Sequence, residues 1–343
     1  YLPLGFWGPA LPILLFDALS VVLVYLIGLR FLSEKKSFLV SLLFTLAPIN
    51  LFYNAHLWLN PPLVTFFALL AAYFLVTERY GLSSLALGVS FGFKQTSLLL
   101  FPVSLILAYK KTDLKKALKF IAVCTVVAII ISMPYLFTAP QYYLGCLRVP
   151  FVSMPETGPE YRQRIMPPTA TGIIQPNATY PVGGNWPINS AFPIFVFSSQ
   201  GMEGDGLFTY YQSFMGAAVP ILNLALFSSF SLLLLKTLRS RDMSGRTVVK
   251  YLLLSLILFH SFYGKGIYKY YYAMVTPFLA LFMTSRIRCA LYILFNLSTL
   301  LIPRFLSPWI LFPSLIYVAL KPYLARAIRF RSDVHVQSSS TKG

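Results

Sequence analysis

Residues Gly81–Lys111 read GLSSLALGVSFGFKQTSLLLFPVSLILAYKK. The run is apolar enough for lipid, yet Lys94 and Gln95 stand at its centre. Arg79 precedes it, and Lys110 and Lys111 close it. Short basic loops collect on the cytoplasmic side of a membrane, so both ends are expected there. Two full crossings would need roughly 40 apolar residues, at about 20 each. This run is too short for that, and we expect two half-crossings meeting at Phe93-Lys94-Gln95-Thr96. Lys94 is then held at the non-cytoplasmic side or in a polar cavity. A cation at membrane depth is expensive unless it snorkels or finds a partner, which makes it a site candidate by default.

The composition agrees with a chain built for lipid. Hydrophobic residues make up 57% of the 343 positions and charged residues 11%, with mean hydropathy +0.70. A soluble domain carries about 25% charged residues. The expected fold is all-α: a polytopic helical membrane protein with about ten crossings, some short or re-entrant, and one long outer loop. A net charge of +18 is compatible with a nucleic-acid partner, but the basic residues sit in short gaps between apolar runs, as topology signals do. No nucleic acid is expected. Cys124, Cys146 and Cys289 share neither a CxxC nor a metal-ligand spacing, so neither a disulfide framework nor a metal site follows.

Taken in order, residues 1–138 form the N-terminal membrane helices. Residue 1 is Tyr, and the native N-terminus is expected to lie further upstream. Pro9–Leu32 crosses inward to Arg30, Glu34, Lys35 and Lys36. Ser37–Trp58 crosses out to a turn at His56-Leu-Trp-Leu-Asn60-Pro-Pro, and Leu63–Thr77 returns to Glu78 and Arg79. After the Lys94 hairpin, Leu118–Phe137 leads outward. Residues 139–206 form the outer loop, and 207–331 the C-terminal helices, with inner turns at Lys236–Arg246 and Arg286–Arg288. Residues 332–343 form a disordered cytoplasmic tail. This assignment puts every basic cluster of the short loops on one side.

The outer loop contains ten Pro and eight Gly, with no run long enough to span. Its aromatics, among them Tyr142, Tyr143, Tyr161 and Trp186, argue against disorder, which is aromatic-poor. Arg148, Arg162 and Arg164 suit an anionic headgroup. A lid or interfacial segment on the outer leaflet is expected, against the plainer reading of a loop packed over the helices. Asn177-Ala-Thr179 is a sequon compatible with an outer position.

Gly92-Phe-Lys94-Gln95-Thr-Ser-Leu-Leu-Leu-Phe-Pro102 resembles the FKQ…P stretch of the C-type (GT-C) superfamily of integral-membrane glycosyltransferases, which use dolichyl- or polyprenyl-phosphate sugars. The motifs look most like those of the glucosyltransferase branch, beside the mannosyltransferases. His56-Leu-Trp-Leu-Asn60 is similar to the H-F-Q-Y-N run of those enzymes. Tyr1-Leu-Pro-Leu4 is similar to their Y-P-P-L element, and Asn185-Trp186 to an Asn-x-Trp element. Tyr263-Gly-Lys265-Gly-Ile-Tyr-Lys269 stands where the superfamily has a late outer motif. Departures are present: Tyr53 and Asn54 replace acidic residues, and the late motif lacks a His-Glu pair. The resemblance implies a catalytic Asp upstream of the Y-P-P-L element, and so ahead of residue 1.

The resemblance implies an enzyme that transfers a hexose from a polyprenyl-phosphate donor to a lipid-linked glycan or protein acceptor on the non-cytoplasmic face. The membrane would be the cell membrane of an archaeon or bacterium, or the endoplasmic reticulum of a eukaryote. Negative charge develops on the leaving phosphate, and fixed cations stabilise that transition state. Lys94, Gln95, His56, Asn60, Lys265 and Lys269 are the candidate substrate-binding residues. No cofactor is expected, and neither a P-loop nor a Rossmann fingerprint occurs. Each candidate has a structural alternative: Lys94 snorkels, Gln95 caps freed backbone groups, His56 sits at the interface like Trp58. Lys265 and Lys269 could be ordinary loop charges, and His260 is better read as a packed polar residue. Asp17, mid-helix in Leu15-Phe-Asp-Ala-Leu, needs a partner, and pairing with another helix is favoured over catalysis. The rival functions are a lipid-linked glycan flippase and a polysaccharide polymerase.

Overall fold

The computed structural model describes residues 7–56, 61–138, 206–262 and 271–301, with positions 140, 187–188 and 267–268. Helix α1 covers Trp7–Gly28 and α2 covers Glu34–Thr45. Pro48 cannot donate to the preceding turn and biases Ala47 out of helix. The chain therefore breaks into α3, Pro48–Asn50, and a π-helix, Leu51–His56, bent by 40° from α2. Helix α4, Pro61–Val76, opens on two prolines, whose missing N–H groups cost nothing in a first turn. Glu78 takes a left-handed φ of 59° at the reversal into α5, Tyr80–Phe93.

Beyond α5 the backbone is extended at Lys94, and a 3₁₀ helix, Gln95–Leu100, leads into α6, Phe101–Lys111. Lys111 Nζ meets Glu78 Oε1 at 2.9 Å, which ties the end of α6 to the residue pair ahead of α5. The segment thus turns back at Lys94 and returns to the end it left. Helix α7, Leu114–Thr138, follows. Gly88 and Gly92, one turn apart on α5, lie against it. A Cβ on Gly88 would stand 2.6 Å from the Cys124 carbonyl oxygen, and one on Gly92 would stand 2.8 Å from Ile131.

The second half contains α8, Gly206–Arg239, α9, Gly245–Phe262, α10, Tyr272–Ala280, and α11, Arg286–Leu301. Apart from the connecting turns and the break at Lys94, the described residues are helical but for a two-residue antiparallel ladder, β1 Pro187–Ile188 against β2 Ile267–Tyr268. Helices Ala10–Gly28 and Leu114–Thr138 are long and apolar enough to cross a membrane alone, and the bent α2–π pair makes a third. Apolar side chains are exposed along α7 (Leu118, Val126, Ile130) and α8 (Ile221, Leu224, Phe227), surfaces that suit lipid. One buried cluster joins the helices, with Leu69, Val249, Leu256 and Phe278 fully enclosed.

The basic turns gather at one end. Lys110 Nζ donates to the carbonyls of Thr237, Leu238 and Ser240, so it caps the C-terminus of α8. Arg30 reaches the Tyr73 hydroxyl at 3.3 Å. Phe31 and Phe282 bring the α1–α2 and α10–α11 turns together, with ring centroids 6.4 Å apart. Among the described residues, these basic turns share one end of the helices.

Asp242, in the turn between α8 and α9, accepts from the Thr247 hydroxyl at 2.5 Å and the Ser244 N–H at 2.8 Å. The Thr247 bond above all holds its carboxyl well below the ordinary 3.8, down to about 2. A lowered carboxyl pKa contributes stability that is present above the unfolded value and lost as pH falls through the folded one. We therefore expect the thermal midpoint of the wild type to drop more steeply between about pH 4 and pH 2 than that of Asp242→Asn, measured in the same detergent.

A buried polar chain stitches α3, α10 and α11. Thr276 Oγ1 donates to Asn50 Oδ1 at 3.1 Å, Tyr292 donates to the Thr276 carbonyl, and Asn296 donates to the Tyr292 carbonyl. Interhelical hydrogen bonds of this kind average about 0.6 kcal/mol and reach about 1.7 in membrane proteins. Thr276→Val should lower the unfolding free energy in detergent by an amount in that range, and Asn50→Leu on top of it should add little, because the two share one bond.

Candidate functional site

The site begins with a helix that cannot continue. At Lys94 the backbone takes φ −160° and ψ 132°, so one turn of carbonyls and N–H groups loses its helical partners. Local hydrogen bonds replace them. Lys94 N–H donates to the Ser90 carbonyl, and Ser97 N–H donates to the Lys94 carbonyl. Ser90 Oγ donates to the Val64 carbonyl on α4 at 2.9 Å, which leaves the Ser97 hydroxyl to donate to Ser90 Oγ at 2.6 Å. The break is thereby pinned to α4, and backbone groups freed there find partners within the protein.

The Lys94 side chain extends toward the start of α10. Its Nζ lies 3.7 Å from the centroid of the Tyr271 ring, within cation–π range. Thr96, on the next turn, reaches Met274 Sδ at 3.8 Å. His260, at the far end of α9, is buried, with Nδ1 2.7 Å from the Leu256 carbonyl and Nε2 3.3 Å from the Tyr271 carbonyl. Pro61, Val64, Lys94, Thr96, His260, Tyr271 and Met274 line a partly open cavity of about 10 Å³, room for one water. Four separate stretches therefore supply it: the start of α4, the α5 break, the end of α9 and the start of α10.

The other sequence candidates stand as follows. Gln95 opens the 3₁₀ helix beside Lys94. His56 ends the π-helix, exposed, with its ring 5.7 Å from that of Phe52, and it does not line the Lys94 cavity. Asn60, Lys265 and Lys269 lie outside the described residues, as do Tyr1–Leu4, Asn177–Thr179, Asn185-Trp186 and the run after Leu301. Asp17 has the partner its position required: Asn54 Nδ2 donates to Asp17 Oδ1 at 2.9 Å, joining α1 to the π-helix. Asn54 Oδ1 is buried with no hydrogen-bond partner among the described residues. The sequence reading gave His260 a packed role and passed over Tyr271; the structure keeps His260 packed and adds both to the cavity wall. The signal available in the sequence was their position at two outer helix ends flanking the same loop.

Fold and site together define a helical membrane protein with a lysine-centred pocket at a broken helix, opposite the end that collects its basic turns. The family described as ALG3 protein matches this chain over residues 14–146, well under half of its length. ALG3 proteins are dolichyl-phosphate-mannose-dependent mannosyltransferases of the GT-C type, so the resemblance read from the motifs holds across this stretch. The matched family is a mannose-transferring one. The matched stretch carries Asp17, Asn54, His56, Asn60, Lys94 and Gln95; His260 and Tyr271 fall beyond it. No curated protein and no solved structure matches the chain.

Proposed function

We propose that this protein is a mannosyltransferase of about ten crossings in the endoplasmic reticulum membrane, moving mannose from a polyprenyl-phosphate donor to a lipid-linked glycan on the non-cytoplasmic face. The observation that carries this is the ammonium of Lys94, held at a helix break in a cavity walled by Thr96, His260 and Tyr271. A cation so placed suits a phosphate whose lipid tail lies between the helices. In the reaction an acceptor hydroxyl oxygen bonds to the anomeric carbon, and the bond from that carbon to the phosphate oxygen breaks. The electron pair leaves on the phosphate, where Lys94 stabilises the growing charge. The acceptor proton passes to a carboxylate acting as general base.

Gln95 takes a hydrogen-bonding role beside Lys94 in this reading. Lys265 and Lys269 add positive charge from the segment before α10, while His56 and Asn60 serve the acceptor at the outer end of the π-helix. A broken helix inside the membrane is also a feature of transporters, whose sites form at such breaks. Membranes containing the full-length protein, given radiolabelled polyprenyl-phosphate mannose and a lipid-linked acceptor, separate the two. Label appearing in the acceptor glycan is the expected result. Movement of label across sealed vesicles without transfer would point to a flippase instead.

A further inference from the structure

We propose that Tyr271 is a specificity-determining residue of this pocket: its ring covers the face of the Lys94 ammonium that a bound phosphate would take. This rests on the reading of Lys94 as the phosphate cation. Three observations support it. The Lys94 ammonium lies 3.7 Å from the ring centroid, a distance at which ring and cation are in direct contact. The cavity that both residues line is partly open and has room beside the ammonium for about one water. The backbone at Tyr271 and the residue after it are held: Tyr272 is fully buried, and the Tyr271 carbonyl lies 3.3 Å from His260 Nε2. Rotation of the half-buried Tyr271 ring would open room for a headgroup at the ammonium.

The consequence is a filter on charge. An occupant must replace the cation–π contact with something the ammonium prefers. A phosphate monoester or diester does so through charge-assisted hydrogen bonds. A neutral isoprenoid alcohol or a neutral glycolipid offers only dipoles, and the ring stays in place. Because only the fraction of molecules with the ring displaced binds donor, the contact lowers the apparent affinity for phosphate. A cation–π contact of ordinary strength corresponds to about twofold to thirtyfold in that affinity.

The test uses detergent-solubilised full-length protein and two probes of equal chain length, a polyprenyl monophosphate and the corresponding polyprenol. Tyr271→Phe should bind the monophosphate within about twofold of wild type, since the ring remains. Replacing that Phe by its mono-, di- and trifluorinated analogues keeps the ring's shape and drains its negative face. Monophosphate affinity should climb stepwise along the series, by about twofold to thirtyfold in total, while polyprenol binding stays level. Tyr271→Leu should match the trifluorinated protein, and should it fail to fold, the fluorine series still decides. A flat or falling series overturns the role of Tyr271. Lys94→Met, run alongside, should bind the monophosphate at least tenfold more weakly. If it does and the series is flat, only the Tyr271 proposal fails; if Lys94→Met binds as wild type does, the phosphate reading of the pocket fails with it.

Discussion

Lys94→Met is expected to reduce mannosyl transfer by about 10²–10³-fold, the loss seen when one preorganised electrostatic contact to a developing anion is removed. The loss should fall mainly on kcat, because the leaving phosphate carries more charge in the transition state than in the bound donor. Met keeps the length and apolar stem of Lys, so packing beside Thr96 and Met274 is little disturbed. An unchanged thermal midpoint in the same preparation separates this outcome from misfolding. Lys94→Arg should recover only part of the activity, since a guanidinium is wider than the space beside Tyr271. The measurement is initial-rate label transfer at several donor concentrations, with mutant and wild type normalised by protein amount.

The second large effect is on the fold. Gly88→Leu should prevent a stable protein from accumulating, and Gly88→Ala should already lower its unfolding free energy by about 1–3 kcal/mol. The first added carbon would stand 2.6 Å from the backbone oxygen of Cys124, and backbone in a packed helix cannot swing aside as a flexible side chain can. Gly92→Ala should cost less, because its obstacle is the side chain of Ile131. The pair sits one turn apart, which is the spacing that lets two membrane helices approach closely. Since α5 ends at Lys94, pushing α5 away from α7 should also weaken donor binding in any protein that does fold. Thermal unfolding in detergent and binding of a polyprenyl monophosphate check both parts.

The break at Lys94 and the return of the chain were legible because their two signals are local: a polar pair inside an apolar run, and basic residues at both ends. The Lys111–Glu78 ion pair is the contact that this reading demanded, although the sequence did not name the partners. Asp17 was legible in the same way, as a carboxylate that needed company. Asn54 as that company was hidden, because the π-helix after Pro48 decides which way its amide points, and no propensity encodes that geometry. The close α5–α7 contact through Gly88 and Gly92 was also unread: two glycines in an apolar run do not say which helix they face. Of the six candidates, Lys94 has a pocket, Gln95 adjoins it and His56 stands apart from it. The pocket's other walls, His260 and Tyr271, come from some 170 residues further along. Contacts over such separations are set by how the helices pack, which a single sequence does not print.

The most direct measurement is an experimental structure of the full-length protein with a polyprenyl phosphate bound. The headgroup should lie at the α5 break, with a phosphate oxygen about 3 Å from Lys94 Nζ and the Tyr271 ring turned off the ammonium. A headgroup bound elsewhere, with Lys94 still stacked on Tyr271, would contradict the account.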